Sequence, residues 1–173
     1  MPLILPKCCV LLIPRAGSTW IRQAIRHASI SYSEHGPKHA TEIPNGAPKF
    51  VLAFTREPEA WALSRWVLGP WQDELTQFWD KDYATFRGRV TDAMVQMYFG
   101  KYTQKATFVG KQESLCEDLI NGLTQAGEKF DPELIRATPK YNVTDHASQE
   151  VITQPAHPKN QLRFSFVEQF FPK

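Results

Sequence analysis

The sequence predicts an α/β domain of three layers, with a mainly parallel central sheet flanked by helices. Short apolar runs, typical of strands buried on both faces, alternate along the chain with segments of helical periodicity. An arginine follows two of these runs, and a helical pattern begins shortly after each arginine. Strands connected through helices pair in parallel, and ligands bind beyond the carboxyl ends of such strands. We therefore expect a ligand-binding crevice at that edge of the sheet.

The first part of the chain predicts two strand and helix pairs. In order, the expected elements are a strand over 8–13, a helix over 19–28, a loop-rich connection over 29–48, a strand over 49–55 and a helix over 59–68. The first helix carries an apolar stripe that should lie on the sheet. Pro58 stands at a favourable position in the first turn of the second helix.

The second part predicts a similar but less regular alternation. The expected elements are a helix within 73–79, a long helix over 82–99, a strand over 106–110, a helix from 114 to 126 and a short helix over 131–136. Ser114 with Glu117 has the spacing of a capping box at the start of its helix. Residues 138–160 are polar and irregular, and the aromatic-rich run over 162–171 fits either a last strand or a last helix.

Composition indicates one globular domain over residues 1–173. Apolar residues make up 42% of the 173 residues and charged residues 22%, which is an ordinary balance for such a domain. The formal net charge of +2 is too small for a surface that binds nucleic acid. Any preference for an anion must therefore come from local placement of arginine and lysine.

The cysteines and the first residues indicate a cytoplasmic protein. The three cysteines form neither a disulfide framework nor a metal-ligand pattern, so they are expected to be buried thiols in a reducing compartment. The opening seven residues, MPLILPK, are too short and too interrupted by proline to be a signal or membrane-spanning segment. No metal site and no membrane span are expected.

Residues 14–20, with the sequence PRAGSTW, join the first strand to the first helix. Small residues and hydroxyls let the backbone approach a ligand, and a helix N-terminus offers N–H donors and a positive dipole end. Arg15 adds a formal positive charge, so the loop predicts a phosphate or sulfate site. The alternative is an ordinary turn in which Ser18 or Thr19 caps the helix.

Two other phosphate chemistries fit this loop less well. The Walker pattern of ATP-hydrolysing proteins is absent, because no lysine precedes Ser18. Cys9 and Arg15 have the Cys-x5-Arg spacing of protein phosphatases. That chemistry needs the cysteine on a loop whose N–H groups surround the thiolate, whereas Cys9 lies in a predicted buried strand.

A second anion site is predicted after the second strand. Arg56 follows that strand, and Ser64 comes eight residues later inside the next helix. A guanidinium can chelate a phosphate through two parallel N–H bonds, and a hydroxyl can complete the shell. Two anion sites on one crevice suit a ligand with two separated anionic groups, such as a bisphosphorylated nucleotide.

Together these segments resemble the sulfotransferases that use 3′-phosphoadenosine-5′-phosphosulfate, most closely their carbohydrate-modifying and bacterial branches. The loop over 14–20 is similar to the family's 5′-phosphosulfate loop, PKSGTTW or PRSGTT. Arg56-Glu57-Pro58 with Ser64 is similar to its 3′-phosphate motif. Residues 108–115 followed by Asp118-Leu119 resemble the family's third segment, vgr-x-E-x-L-x-x-D-L. The agreement in order and spacing covers residues 7–123.

The resemblance implies a P-loop-type fold and a role for each matching residue. By this resemblance the residues that bind the nucleotide are Arg15, Ala16, Gly17, Ser18, Thr19, Trp20, Arg56 and Ser64. Arg15 would also stabilise charge on the leaving phosphate. Trp20 matches a position that stacks on adenine, although a core position on the first helix fits it equally well. Ala16 departs from the family's usual serine, and the C-terminal R-K-G segment of the cytosolic branch has no counterpart.

The implied reaction is in-line transfer of a sulfuryl group to an acceptor oxygen or nitrogen, without a metal. Such a transfer needs cations around the phosphosulfate and a base for the acceptor proton. We expect His39 to be that base, since imidazole accepts a proton near neutral pH, with His35 and Glu34 as alternatives.

The acceptor, whether carbohydrate, peptide, lipid or small alcohol, has no pattern in the sequence. Two other functions stay open at this point. One is a small P-loop kinase or phosphotransferase that uses ATP and magnesium, and the other is a catalytically silent relative that only binds the nucleotide or an anionic glycan.

Overall fold

A computed structural model of the chain describes residues 1–37, 39–70 and 75–140. The strands are β1 (Leu3–Ile4), β2 (Cys8–Leu11), β3 (Ser33–Glu34), β4 (Phe50–Thr55) and β5 (Phe108–Lys111). The helices are α1 (Ser18–His27), α2 (Pro58–Val67), α3 (Tyr83–Arg89), α4 (Asp92–Thr103), α5 (Leu115–Ala126) and α6 (Pro132–Arg136). Short 3-10 turns cover Thr76–Phe78 and Gln112–Ser114. The mixed α/β class is confirmed.

The five strands form one mixed sheet in the order β3-β1-β2-β4-β5. β2, β4 and β5 run parallel, whereas β1 pairs antiparallel with both β2 and β3. The prediction of a mainly parallel sheet is therefore wrong. β1 and β3 contain two residues each, too few for a detectable alternation. A tight turn closed by a bond from Leu5 N to Cys8 O, at 2.8 Å, reverses the chain between β1 and β2.

The described residues form two compact units. The first comprises residues 1–37, 39–57 and 96–140, and the second comprises 58–70 and 75–95. The boundary before residue 96 falls inside α4. The prediction of a single domain over residues 1–173 stays a prediction.

A hydrophobic cluster of the first unit lies on one face of the sheet. Side chains of β2 and β4 pack there with the apolar stripes of three helices, α1, α5 and α6. The fully buried members include Cys8, Val10, Leu52, Phe54, Ile21, Ala24, Ile25, Leu119, Leu123 and Ile135. α5 approaches β4 closely at Gly122. A Cβ built at this glycine would lie 2.5 Å from the Leu52 side chain, so the close approach requires glycine.

The second unit is built around aromatic side chains of α2 and α3. The Trp66 and Tyr83 rings meet edge to face at 5.4 Å between centroids, and the Trp66 indole N–H donates to Asp80 O at 2.8 Å. Glu59 accepts from the Tyr83 hydroxyl and from Arg87 Nε, both at 2.5 Å. These hydrogen bonds connect the start of α2 to α3.

The predicted long helix over 82–99 is wrong, because two helices occupy this segment. α3 ends before Val90, whose ψ of 91° is extended rather than helical. Thr91 then begins α4, since its hydroxyl accepts from Met94 N at 3.3 Å. Apolar spacing continues through both helices, so the periodicity alone did not reveal the break.

The predicted capping box at α5 is also wrong. Ser114 makes no side-chain cap bond, and its hydroxyl donates to Asp118 Oδ2 at 2.7 Å. Glu117 instead accepts from Arg136 Nε at 2.9 Å. Within the segment predicted as a helix over 73–79, residues 73 and 74 lie outside the described residues, and Thr76–Phe78 form a 3-10 turn. The predicted strand or helix over 162–171 also lies outside the described residues.

Candidate functional site

The carboxyl ends of three parallel strands define the candidate site. β2, β4 and β5 are in register side by side, with Leu11 opposite Ala53 and Thr55 opposite Lys111. The segments that follow these strands therefore leave the sheet at the same edge. Arg15, Arg56 and Glu113 lie on those three segments, as expected for the ligand-binding edge of an α/β sheet.

The loop after β2 leads into α1 through two residues with left-handed backbone conformation. Arg15 has a φ of 63°, and Gly17, the N-cap of α1, has a φ of 83°. No side chain caps this helix at Gly17, and Ser18 and Thr19 are its first two helical residues. The alternative in which Ser18 or Thr19 caps the helix therefore does not describe this turn. The first turn of α1 also holds no acidic residue that would repel an anion.

Gly17 is required at its position for two reasons. A φ of 83° is unfavourable for any residue with a Cβ. A Cβ built there would also lie 2.4 Å from Cδ2 of Leu115, at the start of α5. The loop backbone is therefore fixed against α5 through a contact that only glycine permits. Ala16 is buried beneath this turn, and its N–H donates to Ile13 O at 3.3 Å.

Arg56 joins the two arginine-bearing turns. Its Nη1 donates to the backbone oxygen of Arg15 at 3.3 Å. Its Nε is shielded from solvent and has no hydrogen-bond acceptor among the described residues. Burial lowers the pKa of the guanidinium, while the carboxylates of Glu113 and Glu57 oppose that shift. A cation that has lost hydration and keeps an unused donor can gain from a phosphate.

Glu113 and Asp118 hold the turn after β5. Glu113 Oε1 accepts from Glu57 N at 2.8 Å, which connects this turn to the residue after Arg56. Asp118 Oδ2 accepts from Lys111 N and from the Ser114 hydroxyl, each at 2.7 Å. Both acids belong to the third segment of the family resemblance, for which the sequence suggested no role. In this structure they stabilise the backbone around Arg56 and β5.

His39 lies against the end of β2. Its Nδ1 is 2.7 Å from Leu12 O, and a carbonyl oxygen can only accept, so Nδ1 carries the proton in this contact. In the neutral ring, Nε2 then carries the lone pair that could take up a proton. His39 has a φ of 60°, and its own carbonyl accepts from the Tyr102 hydroxyl at 3.1 Å.

The two alternative bases have different surroundings. Glu34, on β3, accepts from Arg22 Nε at 2.8 Å, so its carboxylate is engaged in an ion pair. His35 is exposed, and its backbone N–H donates to Pro2 O at 3.3 Å. Of the three candidates, His39 is the one whose ring contacts the segment leading into the Arg15 loop.

Like the other predicted nucleotide contacts, those of Trp20 and Ser64 stay predictions. Trp20 packs partly buried against the core, and its indole N–H lies 3.4 Å from Thr138 O, which is the geometry of a core tryptophan. Ser64 lies on α2 in the second unit, where it is buried.

The phosphatase-like alternative conflicts with the position of Cys9. This residue lies in β2 and is completely buried, and burial raises the pKa of its thiol to about 11. A nucleophilic cysteine needs the opposite shift, toward the thiolate. Cys8 and Cys116 are also free thiols with raised pKa values, for which burial is the main cause.

No sequence signal indicated the contacts that hold His39. The acceptor at Leu12 is a backbone carbonyl, and Tyr102 lies 63 positions away from His39 in a helix whose aromatic residues read as core.

Within residues 1–37, 39–70 and 75–140, no group of three His, Cys, Asp or Glu could hold a metal ion, and no helix is long and apolar enough to cross a membrane. Comparisons with protein-family models, curated proteins and solved structures found no match.

Proposed function

We propose that the protein is a sulfotransferase that moves the sulfuryl group of 3′-phosphoadenosine-5′-phosphosulfate to a hydroxyl or amine of a small-molecule, carbohydrate or peptide acceptor. In this proposal the fold is a three-layer P-loop-type domain, and the enzyme works in the reducing cytoplasm without a metal. The sequence resemblance over residues 7–123 is one support. The geometry of the first unit is the other.

One observation carries the proposal: the two arginine-bearing turns meet at one edge of the sheet. The 3.3 Å contact between Arg56 Nη1 and Arg15 O joins them. Arg15 and the N–H groups at the start of α1 would bind the 5′-phosphosulfate, and Arg56 would bind the 3′-phosphate. A ligand with two anionic groups on one nucleoside matches this arrangement better than a ligand with a single phosphate.

The proposed reaction is a displacement at sulfur. The acceptor oxygen or nitrogen forms a bond to sulfur while the bond from sulfur to the bridging phosphate oxygen breaks. The acceptor proton moves to Nε2 of His39, and the charge that develops on the leaving 5′-phosphate is stabilised by Arg15 and the α1 N–H groups. The left-handed turn at Arg15 and Gly17 supplies these donors in a fixed arrangement.

Calorimetric titration tests the nucleotide assignment before any acceptor is known. We expect 3′,5′-bisphosphoadenosine to bind more tightly than ATP with magnesium. Arg56→Ala should weaken its binding by about 2 kcal/mol, roughly thirtyfold in the dissociation constant, because a charged hydrogen-bond pair is lost.

Arg26→Ala is the matched control, since it removes an exposed arginine from the opposite end of α1. This variant should bind like the wild type. Equal affinities of the Arg56→Ala and wild-type proteins would contradict the two-site arrangement. Tighter binding of ATP with magnesium would favour the phosphotransferase alternative.

His39→Ala tests the assignment of the base. Release of 3′,5′-bisphosphoadenosine from the sulfuryl donor, measured across a panel of acceptors, should fall by about 10²- to 10⁴-fold, while affinity for the product nucleotide stays unchanged. Unaltered turnover would remove His39 from the mechanism. Nucleotide binding by the wild type without transfer to any acceptor would favour the catalytically silent alternative.

A further inference from the structure

Tyr102 is a buried tyrosine whose hydroxyl donates a hydrogen bond to the backbone of His39. It lies near the end of α4 and is 4% exposed, and its hydroxyl donates to His39 O at 3.1 Å. The ring lies beside that of Tyr98, one turn earlier in the same helix, with 6.0 Å between centroids. Burial and the neighbouring Tyr98 ring therefore fix the orientation of the side chain that makes this hydrogen bond.

The backbone of His39 needs such support. Its φ of 60° lies in the left-handed region, which is unfavourable for a residue with a Cβ. Residues in this region persist where surrounding contacts determine them, and they concentrate at functional sites. Among the described residues, only three with a Cβ have positive φ: Arg15, Ser29 and His39. Two of these three belong to the candidate site.

Two hydrogen bonds hold His39 from opposite ends. Tyr102 donates to its backbone carbonyl, and its own Nδ1–H donates to Leu12 O at 2.7 Å. The first bond holds the strained backbone, and the second selects the tautomer with Nδ1 protonated. Leu12 comes directly after β2. The hydrogen bond therefore fixes the imidazole against the end of a sheet strand and not against its own loop.

We propose that Tyr102 is a positioning residue, which keeps the His39 backbone in its left-handed conformation so that Nδ1–H stays on Leu12 O and Nε2 can accept the acceptor proton. The role of Nε2 rests on the proposed function. The tautomer does not, because it follows from the contacts of the protein alone. In the transfer step, the acceptor O–H or N–H proton moves to Nε2. The imidazole is then protonated at both nitrogens, and its Nδ1–H remains hydrogen-bonded to Leu12 O.

Nitrogen-15 NMR of imidazole-labelled protein, without any ligand, tests the tautomer. The wild-type His39 ring should be protonated at Nδ1 when neutral, with its signals assigned by their loss in His39→Ala. Tyr102→Phe keeps the buried ring and removes the hydroxyl, so His39 should become a mixture of tautomers. Tyr98→Phe is the control, and it should leave the His39 signals unchanged.

Kinetics and calorimetry provide the second readout. Tyr102→Phe should lower kcat by about tenfold, a part of the 10²- to 10⁴-fold that a positioned base supplies, with unchanged affinity for 3′,5′-bisphosphoadenosine. A wild-type ring protonated at Nε2 would overturn the proposal without any variant. Identical His39 spectra in the wild type and Tyr102→Phe would also overturn it. Failure of the wild type to bind the bisphosphate would instead overturn the proposed function and leave the tautomer result standing.

Discussion

At the scale of single residues, Gly17 combines two constraints, a positive φ and a close side-chain contact. Its φ of 83° penalises any side chain, and the Leu115 side chain occupies the space of a Cβ. Gly46 has almost the same φ, 81°, but nothing lies within 4 Å of a Cβ built there. The chain therefore contains a glycine with the conformational constraint alone and another with both constraints.

Gly17→Ala should lower the free energy of unfolding by more than Gly46→Ala. The Gly46 change should cost about 1 kcal/mol, from φ alone. The Gly17 change should cost about 1–3 kcal/mol more, because the Leu115 contact must be relieved. Urea denaturation of both variants measures the difference. Equal losses would mean that the Leu115 contact places no constraint on the loop.

Residue chemistry also explains which site residues could be predicted from the sequence. Arg15 and Arg56 each follow an apolar run, so their meeting at one edge follows from parallel pairing of β2 and β4. The surroundings of His39 could not be predicted in this way. They depend on a backbone carbonyl and on a tyrosine from α4, and neither leaves a local pattern.

At the scale of elements, Thr91 separates two helices that the apolar spacing had joined. Its hydroxyl accepts from Met94 N and its carbonyl accepts from Val95 N, which defines the start of α4. Long buried strands and amphipathic helices follow from periodicity, as for β4 and α5. β1 and β3 do not, because strands of two residues depend on the partners that they meet after folding.

Thr91→Ala should destabilise the protein by about 1 kcal/mol, because the first turn of α4 loses its side-chain acceptor. Thr91→Ser keeps the hydroxyl and should retain most of the stability. Chemical denaturation of the wild type and both variants measures the effect. If serine and alanine were equally destabilising, the hydroxyl would not be the cap that starts α4.

At the scale of the whole molecule, acidic side chains in both units should make stability fall in acid. The Tyr83 hydroxyl and then Arg87 lower the pKa of Glu59 below its ordinary value of 4.5. Arg136 likewise lowers the pKa of Glu117. A carboxyl whose pKa is lower in the folded state contributes stability above its unfolded pKa, and that contribution is lost as pH falls through the folded pKa.

The free energy of unfolding should therefore decrease between about pH 5 and pH 3. The double variant Glu59→Gln and Glu117→Gln should have a shallower decrease than the wild type. The difference should be modest, because both side chains are largely exposed to solvent. Parallel curves for the two proteins, measured by urea denaturation at each pH, would exclude these carboxylates as the cause.

The contact between His39 and the Leu12 carbonyl has a consequence for how this chain can evolve. Since the acceptor belongs to the main chain, any amino acid at position 12 still presents that oxygen. Substitutions at position 12 therefore preserve the hydrogen-bond acceptor of His39. Removing that acceptor requires a change to the backbone itself, such as an ester in place of the peptide bond, because no change of side chain removes it.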